Sequence, residues 1–315
     1  MISGMQGLNR ITRLLLSRLL PGLLGCLLAT AVRAESMLMV LSDYGPSYNQ
    51  VRDAVMETVQ QPPTVVTLDQ VMPSHSRSPI ILAVGSQACE QMLGRYHPDT
   101  RLICSFLPSS TFTQLRERLL PEQDQNAVSA IFIDQPLLRQ IRLARLVKPE
   151  ANTLGSALGG GSRFLRSELE AGSRDVGLAL QLAFLSAEDN PVEKLTPVIQ
   201  NSDLFLVIPD SSVFNRAISK WLLYLSLRHQ VPVIGFSENY TNAGATASVH
   251  SSATQIGQQA GEWLNRLQAG EALPAPSYPT YFDVSINPVA ARTLKLKLTS
   301  GEALEQELLR LEAKN

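Results

Sequence analysis

From residue 37 almost to its end, the chain alternates short apolar runs with amphipathic stretches, and no other feature restricts its fold so narrowly. MLMVL at 37–41 reads as a strand, and residues 48–60 carry Val51, Val55 and Val59 at a spacing of four, one apolar helix face. Residues 64–68, 79–85 (PIILAVG), 102–107 (LICSFL) and 127–133 (AVSAIFI) are further strands, and the uninterrupted apolar run at 79–85 suits burial on both faces. Ser86 opens one intervening helix, and residues 111–120 form another. Strand–helix–strand order repeated this often predicts a parallel sheet with crossover helices.

A second series of similar length follows. A helix at 137–146, closed by Pro149, leads to a weak strand at 153–158, a Gly159-Gly160-Gly161-Ser162 turn and a helix at 163–171. Strands at 178–184, 204–208 (LFLVI) and 231–236 (VPVIGF) are separated by a helix at 191–199 and by one carrying Phe214, Ile218, Trp221, Leu222 and Leu225. A strand at 247–249, a helix at 252–267 stopped by Gly270, a strand at 280–286 and a helix at 302–311 complete the chain. At 315 residues it exceeds one ordinary core and suits two α/β lobes, each doubly wound around a parallel sheet. The late strand–helix unit predicts a return to the first lobe. The expected division is 35–134 plus 244–273 for the first lobe and 135–243 plus 274–315 for the second.

Arg10, Arg13 and Arg18 precede a charge-free apolar segment at 19–32, which ends in Val32-Arg33-Ala34. Small residues at 32 and 34 fit a cleavable secretory signal, and the apolar stretch falls short of the roughly 20 residues a span needs. The expected mature chain therefore begins at Glu35, in the periplasm. A retained anchor and lipoprotein processing at Cys26 (Leu23-Leu24-Gly25-Cys26) are the alternatives, the second disfavoured by the apolar residues after Cys26. Without Cys26, two cysteines remain, Cys89 and Cys104; they form either one disulfide or two buried thiols. A net charge of −1, with no basic run, argues against nucleic-acid binding.

Several segments together carry a resemblance. Asp134-Gln135-Pro136, Leu206-Val207-Ile208-Pro209-Asp210, Val213-Phe214-Asn215 and VPVIGFS at 231–237 are joined by Ala243-Gly244-Ala245, Ile256-Gly257, Tyr278-Pro279 and INPVA at 286–290. This ordered set, over 126–295, resembles bacterial ABC-transporter substrate-binding proteins of the type I periplasmic-binding fold; residues 35–125 match in pattern only. The resemblance implies two lobes joined by three crossovers, near 134–136, 236–244 and 273–279. It implies a small-molecule ligand held between the lobes of a monomer and handed to an ABC permease. The sequence also resembles the ligand-binding half of sugar-responsive repressors, with the signal segment where a DNA-binding head would stand. A sensor acting on a membrane receptor is the alternative function, and an exported enzyme the remaining one.

In open parallel sheets, ligands bind beyond the carboxyl ends of the strands, where loops and helix amino termini converge. That rule selects Tyr44 and Ser86 from the first lobe, and Ser162, Asp210 and Phe236 from the second, as ligand-binding candidates. Asp210 is either a ligand acceptor or the cap of the helix after it. The glycine run at 159–161 lacks the following Lys of a phosphate loop. The four histidines (His75, His97, His229, His250) show no metal-ligand spacing, and no Gly-x-Ser-x-Gly elbow occurs. No catalytic residue, metal site or cofactor is expected.

Overall fold

A computed structural model describes residues 37–210 and 212–313. The predicted signal segment with Cys26, the mature start at Glu35, and Ser211 lie outside the described residues.

The first lobe runs β1 (Met37–Leu41), α1 (Pro46–Thr58), β2 (Thr64–Thr67), β3 (Ile80–Val84), α2 (Ser86–Leu93), β4 (Arg101–Leu107), α3 (Ser109–Leu119) and β5 (Val128–Phe132). Its five strands are all parallel, in the order β2-β1-β3-β4-β5. The second lobe runs α4 (Leu137–Val147), β6 (Thr153–Leu158), α5 (Arg166–Asp175), β7 (Ala179–Phe184), α6 (Pro191–Gln200), β8 (Leu204–Leu206), α7 (Arg216–Arg228), β9 (Val233–Gly235), α8 (Glu238–Asn242) and β10 (Ala247–His250). The chain then gives α9 (Ala253–Gln268) to the first lobe and closes with β11 (Asp283–Ile286), α10 (Pro288–Thr293) and α11 (Gly301–Glu312). The second sheet has the order β11-β10-β9-β8-β6-β7, parallel except for the edge strand β11.

Strand alternation sorts the core into layers. In β1, Leu38 and Val40 face Cys89, Met92, Phe112 and Leu115 of α2 and α3, whereas Met39 and Leu41 face Val51, Val55, Ile256 and Leu264 of α1 and α9. Each fully buried aliphatic side chain contributes roughly 1.5–3 kcal/mol. Helices α1 and α9 approach closely at Gly257, where an added Cβ would stand 2.5 Å from the Val51 carbonyl oxygen. The second sheet is covered likewise, by Ile141, Ala144, Leu304 and Leu308 on one face and by Leu195, Ile199 and Leu222 on the other.

One boundary needs correction. Residues 244–250 do not return to the first lobe: β10 pairs in parallel with β9 and antiparallel with β11, inside the second sheet. Chain order cannot reveal this, because sheet membership is set by long-range pairing. The second crossing accordingly falls at Ser251–Ser252 rather than at 236–244. The third falls just after 278, since Ser277 still bridges Ile131 of the first lobe while Phe282 is buried in the second. The first crossing, at 134–136, lies between β5 and α4.

The cysteines are bonded. Cys89 of α2 and Cys104 of β4 form a disulfide with Cα atoms 5.3 Å apart. Among the described residues, no helix is long and apolar enough to cross a membrane.

Candidate functional site

The site begins with an irregular strand. Between Ser105 and Leu107 the pairing of β4 with β5 shifts register, and Phe106 takes a φ of 58°. A bulge bends a strand and re-aims a side chain, and left-handed backbone on a residue with a Cβ costs roughly 1–2 kcal/mol. Phe106 thereby leaves the pattern of a buried run. Its ring packs edge-on to Tyr48, centroids 5.6 Å apart, and lines a cavity of about 600 Å³.

Both lobes and the crossings form this cavity. Ser47, Gln50 and Phe106 come from the first lobe, Pro209, Phe236 and Glu238 from the second, and Asp134, Gln135, Ser251 and Ser252 from the first two crossings. Gln140, Ser237, Asn239, His250 and Asp283 add to the polar part of the wall. A volume near 600 Å³ lies within the range of small-molecule pockets, about 300–1,000 Å³. A smaller cavity of about 70 Å³ shares Asp134, Gln135 and Gln140 and is also lined by Ser109, Ser162, Phe164 and Tyr278.

The crossings are laced together. Gln135 Nε2 donates to Ser251 Oγ at 2.8 Å, and that hydroxyl donates to the Tyr281 carbonyl at 2.6 Å. Arg139, buried on α4, donates through Nη1 to Gln135 Oε1 at 2.7 Å and to the Pro279 carbonyl at 3.2 Å. Its Nε and Nη2 grip the Glu312 carboxylate of α11 at 2.6 and 2.8 Å, and its guanidinium lies 4.0 Å from the centre of the Phe282 ring. The first and third crossings and the last helix thus meet at one buried cation, and the second crossing reaches it through Gln135.

Three carboxylates, Asp134, Glu238 and Asp283, line the cavity among hydroxyls, amides and one imidazole. Burial pushes the Asp134 carboxyl above its ordinary value, against hydrogen bonds from the Ser109 amide (2.7 Å) and hydroxyl (2.5 Å). Gln140 is 3% exposed; its Nε2 donates to the Gln135 carbonyl, and its Oε1 has no partner. Burial also holds the His250 imidazole below its usual value, opposed by nearby Asp283 and Glu238, so it is neutral at pH 7. Asp283 accepts a bond from Gln255 Nε2 at 3.0 Å.

The five candidate residues do not gather in one place. Phe236 lines the large cavity beside Tyr240, ring centroids 5.1 Å apart, and Ser162 lines the small one. Tyr44 is 58% exposed and shares a 2.7 Å hydrogen bond with Thr67, and Ser86 sits at the start of α2; neither lines a cavity. Asp210 lines neither as well. Its carboxylate accepts from Ser162 Oγ at 2.7 Å, Ser212 N at 2.9 Å and Ser212 Oγ at 2.6 Å, clamping the 159–162 turn. Gly159 is required there: an added Cβ would stand 2.4 Å from Ser212 Oγ. Burial raises the Asp210 carboxyl, but these bonds outweigh it and hold the group below its ordinary value. Nor does Asp210 cap the next helix, because Asn215 Oδ1 accepts from the amides of Ala217 and Ile218 at the start of α7.

Strand order explains the scatter. Tyr44, Ser86, Ser162 and Asp210 follow β1, β3, β6 and β8, whose junctions are the switch points of the two sheets. β1 lies three strands from β5, and β6 three from β10, about 14 Å in each lobe. The cavity adjoins the crossings beyond β4, β5, β9 and β10, and it reaches the segments after β1 and β8 only at Ser47, Gln50 and Pro209. Phe106 carries no sequence signal for this position; the sequence marks Asp134 as part of the first crossing but not as a site residue, and Gln140, a polar residue on the buried side of α4, is one that could have been noticed.

No family model matches the sequence, and neither does any curated protein. Solved structures match over most of the chain. A conserved domain protein from Vibrio cholerae is 15% identical, with 87% of this chain and 98% of that one aligned and a TM-score of 0.56. The ligand-free, open form of a substrate-binding protein with adhesive properties from Clostridium difficile is 13% identical, covering 85% and 97%, at 0.68. An ABC domain from Streptococcus pneumonia in complex with L-Trp is 14% identical, covering 87% and 98%, at 0.55. Two parallel-sheet lobes, three laced crossings and these neighbours give the chain the type I periplasmic-binding-protein fold.

Proposed function

We propose that this chain is an exported solute-binding protein that closes its lobes on a small molecule and delivers it to an ABC permease. The observation that carries the reading is the cavity of about 600 Å³, whose wall is drawn from both lobes and from the crossings between them. A solute there touches both lobes at once, so it binds more tightly when they are closed and shifts the population toward that form. The disulfide favours an oxidising compartment, in keeping with cleavage after Ala34 and release of a periplasmic chain beginning at Glu35. Solved neighbours that are a substrate-binding protein and an L-Trp complex point to binding rather than catalysis.

The test uses protein 35–315 purified from the periplasm. Mass spectrometry after denaturation identifies a co-purified solute, and small-angle scattering measures the radius of gyration of the stripped protein before and after that solute, or a periplasmic extract, is restored. The expected result is compaction on addition. An unchanged radius at saturation removes the closure mechanism. A solute that is bound and chemically altered makes the protein an enzyme instead.

A further inference from the structure

Three carboxylates line the large cavity, Asp134, Glu238 and Asp283, and among the described residues no Lys or Arg lines either cavity. The one imidazole in the wall, His250, is neutral at pH 7, so it supplies no compensating charge. A second observation is independent of these charges: Gln140 is 3% exposed, borders both cavities, and leaves Oε1 without a donor. A buried acceptor left unpaired costs about 1–3 kcal/mol, and a ligand N–H would satisfy it. A third is the pair of rings, Phe106 from the first lobe and Phe236 from the second, that line the same cavity. Aromatic faces attract cations.

We infer that the solute is an organic cation, a protonated amine on a flat or apolar body, with its charge toward Asp134, Glu238 and Asp283. The inference rests on the solute-capture reading and deepens it. An anionic solute would be desolvated against three carboxylates without one cationic partner. A neutral solute would leave those charges uncompensated as closure strips their water, whereas a cation both neutralises them and donates to Gln140.

Three probes sharing one ring isolate the charge: tryptamine, L-tryptophan and indole-3-acetate, each titrated calorimetrically into stripped protein 35–315 at neutral pH. Tryptamine should bind at least about tenfold more tightly than indole-3-acetate, with the zwitterion between them. Glu238→Gln and Asp283→Asn should each weaken tryptamine by about three- to tenfold. Glu57→Gln, an exposed α1 carboxylate outside the cavity, should leave it unchanged. Glu238 is exposed, so Glu238→Lys tests the same charge without a folding burden, and it should move preference toward the acetate. Equal or tighter binding of the acetate, no binding of tryptamine, or indifference to the Glu238 and Asp283 variants would each overturn the cation assignment. If the acetate binds and compacts the protein, capture stands and only the charge preference falls. If the scattering experiment shows no compaction with the restored solute or extract, capture itself falls.

Discussion

In the first lobe a covalent bond fastens a helix to the sheet, where Cys89 of α2 meets Cys104 of β4. In the second, carboxylates fasten the loops: Asp210 gathers Ser162 and Ser212, and Asp203 accepts from the Asn152 and Thr153 amides and the Thr153 hydroxyl. The strand order is otherwise the same, since β7-β6-β8-β9-β10 repeats β2-β1-β3-β4-β5. One plan is thus stabilised in two ways, one sensitive to reductant and one sensitive to acid. A carboxylate at a strand end can be a fastener as readily as a ligand group, and its partners decide which.

The comparison breaks most visibly at the disulfide. Replacing both Cys89 and Cys104 by Ala should cost about 3 kcal/mol, given a separation of 15 residues. Each lobe carries its own reporter, Trp263 on α9 and Trp221 on α7. In urea, fluorescence of a Trp221→Phe background should show an earlier midpoint for the first lobe, while the Trp263→Phe background stays put. A joint shift would mean that the lobes unfold as one unit. Two thiols titrating in denatured, unreduced protein would remove the bond itself.

A smaller effect is expected at Asp210. Asp210→Ala strands Ser162 and Ser212 and should cost the second lobe about 1–2 kcal/mol, with solute affinity within about twofold of the parent. Paired thermal melts and titrations check this. Lost affinity at unchanged stability would place the carboxylate on the ligand.

The smallest effect is a difference in sign with pH. Asp210 and Asp203 are held below their ordinary value, 3.8, so the stability they supply is present above it and lost as pH falls through their folded values. Asp134 is raised above 3.8 by burial, so the folded protein retains a proton that the unfolded chain releases. Its contribution therefore declines as pH rises from 3.8 through the raised value. Melting temperatures of the stripped protein and of Asp134→Asn across the mildly acidic range should differ by that slope. Identical profiles would show that burial does not perturb Asp134.

Much of the architecture was legible because buried parallel strands announce themselves locally. MLMVL and LFL mark β1 and β8 by unbroken apolarity, and the spacing of Val51 and Val55 marks α1. What was hidden depends on contacts distant in sequence. ASVH does not declare which sheet it joins, and LICSFL reads as a plain buried strand although its Phe turns out at a bulge. The cavity was harder to place than the fold for the same reason. The strand-end rule ranks switch points first and is silent on the crossings, which bring Asp134, Gln140 and Ser251 to one cavity.

The grip of Arg139 on Glu312 makes α11 a mechanical part of the joint between the lobes. A fusion spliced directly onto α11 that displaced Glu312 would disturb Arg139, and through it Gln135 and Pro279. Tag position is therefore not neutral for this protein. A Gly/Ser spacer, which behaves as a flexible coil and transmits little force, belongs between α11 and any such extension.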